Sequence, residues 1–129
     1  MDTERALACL SSSERDCLSR YISVLSERLG SDLIRIWLFG SAARGEMWSG
    51  SSPMHSDIDI LVLTSNAVPE RSREELVNLT YPLFLECGRQ IAPQFRTTQQ
   101  FRSPEDERSR DFVQRIRSEG HILYGNEDP

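Results

Sequence analysis

Apolar residues recur along this chain in two rhythms, and the alternation between them predicts the elements. Ser11-Ser12-Ser13-Glu14 has the side chains that cap a helix, with an acid in its first turn. Leu18, Tyr21, Ile22, Leu25 and Leu29 follow at helical spacing, and Gly30 ends the stripe. Tyr21 on this stripe reads as core. Leu33-Ile34-Arg35-Ile36-Trp37-Leu38-Phe39 is apolar and rich in β-branched and aromatic residues, interrupted by Arg35 alone, and predicts a strand. A second strand is predicted from Ile58 through Leu63. Pro69-Glu70 opens a second helix with Leu76, Leu79, Leu83 and Cys87 as its apolar residues, and Pro82 is expected to kink or split it. Gln90–Thr97 reads as a third strand. Pro104-Glu105-Asp106-Glu107 begins a last helix whose apolar face is Phe112, Val113 and Ile116. The order predicts an α+β fold, a mixed α/β arrangement of two layers in one domain spanning residues 1–129.

Two stretches break the pattern in a way that carries chemistry. The first strand runs into Gly40-Ser41-Ala42-Ala43-Arg44-Gly45. Gly40 permits a backbone geometry closed to other residues, or a close ligand approach. Ser41 offers a hydroxyl, the alanine pair favours a helical turn, and Gly45 ends it. Such a turn presents N–H groups to an anion, and Arg44 adds a fixed charge suited to phosphate oxygens. Its bland alternative is an ordinary strand-turn-helix.

The second stretch is Asp57-Ile58-Asp59-Ile60, which opens the second strand. Side chains alternate along a strand, so Asp57 and Asp59 share one face while Ile58, Ile60 and Val62 face a core. Leu61 and Leu63 continue the Asp face, so that face must also be covered further along. Two carboxylates roughly 6–7 Å apart repel each other. A divalent cation removes the conflict, and Mg²⁺ prefers one or two carboxylates plus waters and substrate phosphates. An isolated D-x-D would read as the solvated start of a strand; the glycine-serine turn upstream shifts the reading to a metal site.

Composition narrows the setting. The chain has 129 residues and a net charge of -5, which argues against an extended nucleic-acid surface. All 15 basic residues are Arg. The three cysteines, Cys9, Cys17 and Cys87, follow no metal spacing and read as reduced thiols of a cytoplasmic protein. No apolar run is long enough to span a membrane, and Met1-Asp2-Thr3-Glu4 does not read as a signal peptide.

Leu38-Phe39-Gly40-Ser41-Ala42-Ala43-Arg44-Gly45-Glu46, followed by Ser56-Asp57-Ile58-Asp59-Ile60-Leu61-Val62, resembles the minimal nucleotidyltransferases of the DNA polymerase β-like superfamily. The specific match runs from about Arg35 to Leu63, and Arg115–Gly120 with Ile122-Leu123-Tyr124 looks like that family's closing helix and tail. The resemblance implies a mixed, mostly antiparallel sheet with helices on one side. It implies that Gly40 and Ser41 bind the triphosphate, with Arg44 as helper, and that Asp57 and Asp59 are the catalytic carboxylates holding Mg²⁺. ATP is the implied substrate, with AMP passing to an acceptor hydroxyl. Small stand-alone members resemble the antitoxin halves of two-gene modules, whose partner is commonly a helical HEPN-type protein. A degenerate module that acts by binding such a partner is therefore the alternative. An aminoglycoside-modifying transferase fits less well, because those enzymes usually carry an added acceptor-binding domain.

The chain departs from the family pattern twice. The segment Met47–His55 is longer than usual and reads as a Gly/Ser/Pro-rich surface loop. Its Trp48, Met54 and His55 either stack on a base, meet a partner or pack over the core. Catalytic members of the family usually carry a third acid on a later strand. Here the matching position falls near Ala92, with Gln94 next on that face, and neither is acidic. That separates nucleotide binding from chemistry. Glu86 reads as a solvated side chain, with replacement of the missing acid as its alternative. His121 has no partner visible in the sequence and reads as a surface histidine.

Overall fold

The structure is a computed structural model that describes residue 7, residues 10–43 (of 41 and 42 the backbone alone) and residues 57–125. Helix α1, Ser12–Leu29, starts at a reciprocal cap: the Ser11 hydroxyl accepts from the Glu14 amide at 3.0 Å and the Glu14 carboxylate accepts from the Ser11 amide at 2.9 Å. It ends at Gly30, whose φ of +57° lies in the left-handed region. Strand β1, Leu33–Phe39, runs into α2, Gly40–Ala43, a single turn. Strand β2 is Ile58–Thr64, followed by α3, Glu70–Asn78, and α4, Thr80–Cys87. The second helical run is thus split at Leu79. Pro82 occupies the third position of α4, where its missing N–H removes no intrahelical hydrogen bond. Strand β3, Ile91–Thr97, leads into α5, Thr98–Arg102, then α6, Glu107–Glu119, and β4, His121–Tyr124.

The four strands form one sheet in the order β3-β2-β1-β4. β1 pairs antiparallel with both β2 and β4, and β2 pairs parallel with β3. The sheet is mixed and mostly antiparallel, as expected. Pro93 is tolerated because β3 is an edge strand. The closing tail is not only a tail: β4 extends the sheet at its other edge.

Both faces of the sheet are covered. On one, Ile36, Leu38, Ile58, Ile60 and Val62 pack against Leu18, Tyr21 and Leu25 of α1 and Leu76 of α3. The buried Tyr21 hydroxyl donates to the Leu76 carbonyl at 2.7 Å, which ties α1 to α3. On the other, Trp37, Phe39, Leu61 and Leu63 pack against Phe101 of α5 and Val113 and Ile116 of α6. Trp37 stacks on Phe101 with centroids 4.9 Å apart, and Phe39 meets Phe112 edge-on at 5.5 Å. The α+β fold class stands. The expectation of helices on one side is corrected by α5 and α6, which form a smaller covering on the Asp-bearing face. The reason lies in β2 itself: Leu61 and Leu63 are fully buried there and require apolar cover.

Candidate functional site

The register of β1 against β2 places the two sequence stretches side by side. Phe39 lies opposite Asp59, so Gly40 is the first residue past the end of that pair. Gly40 has a φ of +76°, a left-handed conformation that disfavours any side chain. A Cβ there would sit 2.3 Å from Asp59 Oδ2 and 3.2 Å from its Cγ. The absence of a side chain at Gly40 is therefore what lets the Asp59 carboxylate lie against the turn. Asp59 is half-buried in β2, and Asp57, directly before that strand, is exposed. The backbone between them is fixed, because the Ile58 amide donates to the Gln90 carbonyl at 2.8 Å.

Two carboxylates one residue apart, one of them against Gly40, are a hard-oxygen donor set of the kind Mg²⁺ takes. Among the described residues no group of three His, Cys, Asp or Glu side chains is placed to hold a metal. The parallel register explains this at the expected third position. Ala92 lies beside Asp59, and Gln94 lies beside Leu61, one step further up the strand. Gln94 also accepts a hydrogen bond from Arg96 at 3.3 Å. Glu86 is exposed on α4 and paired with Arg20 of α1, so it serves a surface ion pair and does not join the two aspartates. Cys17 is buried, and burial first, then the neighbouring Cys87, pushes its thiol pKa up. That is the setting of an inert thiol, as the cysteine spacing suggested. Cys9 lies outside the described residues.

Of the turn residues, Ser41 is described by its helical backbone alone, while Arg44, Gly45 and the segment Met47–His55 lie outside the described residues. His121 is where sequence reasoning fell short. It is half-buried, and its Nε2–H donates to the Ala43 carbonyl at 2.9 Å. The partners are 78 residues apart in sequence, so only the β4 pairing reveals the contact. No helix among the described residues is long and apolar enough to cross a membrane.

Comparison with known proteins follows the same lines. The family model described as "Polymerase beta, Nucleotidyltransferase" matches residues 22–129. Among solved structures, a chain of a variant MntA-HpeT toxin-antitoxin complex is 25% identical, with a TM-score of 0.56, over 84% of this chain and 72% of that one. Two others show the shared fold. A complex of tri-AMPylated Shewanella oneidensis HEPN toxin with MNT antitoxin matches at 22% identity and a TM-score of 0.53, over 87% of this chain and 72% of that one. The spectinomycin adenyltransferase AAD(9) from Enterococcus faecialis, solved with ATP and spectinomycin, matches at 18% identity and a TM-score of 0.61, over 88% of this chain and 57% of that one. No curated protein matches the sequence.

Proposed function

The chain belongs to the polymerase β nucleotidyltransferase family, and from that premise we propose that it binds ATP with Mg²⁺ and transfers AMP to a hydroxyl acceptor. One observation supports this reading most directly: a side chain at Gly40 would collide with the Asp59 carboxylate, so the glycine turn and that carboxylate lie in contact. Asp57 and Asp59 hold Mg²⁺ in this reading, and the ion, when bound, neutralises charge on the phosphates. Gly40, Ser41 and the nearby backbone N–H groups take the β- and γ-phosphates, with Arg44 adding charge. The acceptor oxygen forms a bond to the α-phosphorus, the α–β bridge bond breaks, pyrophosphate leaves, and the hydroxyl proton passes to solvent. The residues contribute through positioning and electrostatics.

A toxin of the HEPN type is the proposed acceptor and partner. The MntA-HpeT complex supports this, since it pairs a toxin with an antitoxin and resembles this chain over most of the length of both. The setting proposed for the pair is the cytoplasm. A second reading rests on Ala92: with no acid beside Asp59, the domain binds nucleotide and escorts its partner without chemistry.

The deciding experiment incubates the full chain with Mg²⁺ and ATP radiolabelled at the α-phosphate, with and without the product of the neighbouring gene. Label on the partner protein supports transfer. Tight Mg-ATP binding without any label, even on a hydroxyl-bearing surrogate, favours the escort reading. Ala92→Asp sharpens the choice, because it restores an acid next to Asp59 and is expected to raise transfer several-fold. Robust parental turnover that Ala92→Asp does not improve would show that the two aspartates suffice.

A further inference from the structure

The phosphate turn is held at both ends, and only one of its two anchors comes from the sequence motif. Its start is fixed by Gly40 against Asp59. Its end is Ala43, a buried residue that closes a single helical turn and whose carbonyl takes a donor from outside that turn. The His121 ring fills that role from the far edge of the sheet, with Nε2–H donating at 2.9 Å. The ring is itself held in place by a tightly fitted strand. His121 lies opposite Leu38 in the β1–β4 ladder. At one end of β4, a Cβ on Gly120 would come within 3.0 Å of Trp37 Cδ1 and 2.5 Å of the Ile116 carbonyl oxygen. At the other, Gly125 has a φ of +89° and packs so closely that a Cβ would lie 2.4 Å from the Ile34 carbonyl oxygen. Two glycines thus let β4 close onto β1, and the closed strand presents the imidazole to the turn.

We infer that His121 is a positioning residue of the nucleotide site: its hydrogen bond to Ala43 sets the orientation of the Gly40–Ala43 turn and thereby the affinity for the triphosphate. This rests on the proposed assignment of that turn to phosphate binding. The imidazole touches no reacting atom; it acts through the backbone of Ala43. Removing the donor takes this hydrogen bond from the Ala43 carbonyl and unties the end of the turn from β4. Nothing in the contact requires a charge, so any side chain that brings an N–H to the same point should serve.

The test measures Mg-ATP binding by calorimetry for the full chain, His121→Leu and His121→Gln, with thermal unfolding of each as a control on folding. The Leu variant fills the volume without a donor; the Gln variant offers an amide N–H at similar reach. The expected result is roughly three- to tenfold weaker Mg-ATP binding for His121→Leu, with affinity recovered in His121→Gln while both remain folded at the assay temperature. Affinity unchanged in both variants would overturn the inference and leave the functional reading standing. Equal weakening in both would also overturn it, since the donor would then not be what matters. A parent chain that binds no Mg-ATP would overturn the functional reading, and this inference with it.

Discussion

The β1–β2 ladder has an aspartate at each end, and the two are used differently. Asp32 lies just before β1, beside the end of β2, where Leu33 pairs with Thr64. Its Oδ1 accepts from the Ser65 hydroxyl at 2.6 Å and from the Asn66 amide at 3.0 Å, and its backbone carbonyl accepts from the Ser65 amide at 2.9 Å. Those hydrogen bonds, Ser65 first, draw its pKa below the ordinary value. This carboxylate closes the ladder by binding its own chain. At the opposite end Asp59 sits against a left-handed glycine, with Asp57 just before the strand and an alanine beside it on the neighbouring strand. One setting completes a turn; the other brings a carboxylate against the glycine of a turn, the arrangement on which the proposed metal site rests.

The largest expected effect breaks that contrast directly. Asp57→Asn or Asp59→Asn should abolish Mg²⁺-dependent nucleotide binding and transfer, and leave the melting temperature unchanged or raised, because a repulsive pair is relieved. Asp32→Asn should do the reverse: nucleotide binding stays and stability falls. Calorimetric titration with Mg-ATP and thermal unfolding of the same three samples check both halves. Full Mg-ATP affinity in the Asp57/Asp59 double variant would place the metal site elsewhere.

Next comes the cradle. Gly40→Ala introduces a Cβ 2.3 Å from Asp59 Oδ2 and imposes a side chain on a residue at φ +76°. The left-handed conformation alone costs about 1–2 kcal/mol with a side chain, and the contact forces Asp59 aside. Both a lower melting temperature and a loss of Mg-ATP binding are expected, measured on one preparation. Ser41→Ala is milder: triphosphate binding weakens by about 1–3 kcal/mol, the scale of a hydrogen bond to a charged group, with stability unaffected. ATP and AMP titrations compared for this variant test whether the loss falls on the β- and γ-phosphates.

Much of this site was legible because its signals are local. A nearly continuous apolar run into Gly40 and an alternating Asp57-Ile58-Asp59-Ile60 fix a turn, a face and a strand without any knowledge of partners. The parallel register then put Ala92 beside Asp59, where the missing acid was expected. What escaped was carried by short elements and long separations. β4 is only His121–Tyr124, too brief for a period to show. The second layer rests on Phe101 in a five-residue helix and on a few apolar positions of an otherwise charged α6. His121 became informative only when strand pairing carried it next to Ala43.

The smallest effect is a pH dependence, and it belongs to the structural end of the ladder. A carboxylate whose pKa is lowered on folding stabilises the fold while it is ionised. For Asp32 the contribution is fully present above its unfolded value, near the ordinary aspartate value of 3.8, and is lost as pH falls through the lower folded value. Asp32→Asn has no such titration. The stability gap between the parent and this variant should therefore stay constant from neutral pH down to about pH 4, then narrow as pH falls further. Because these side-chain hydrogen bonds are exposed, the gap itself should be small at every pH. Urea unfolding at a series of pH values measures it. A gap that widens on acidification would mean that Asp32 is stabilised as the neutral acid, and the contrast between the two ends of the ladder would then rest on Asp59 alone.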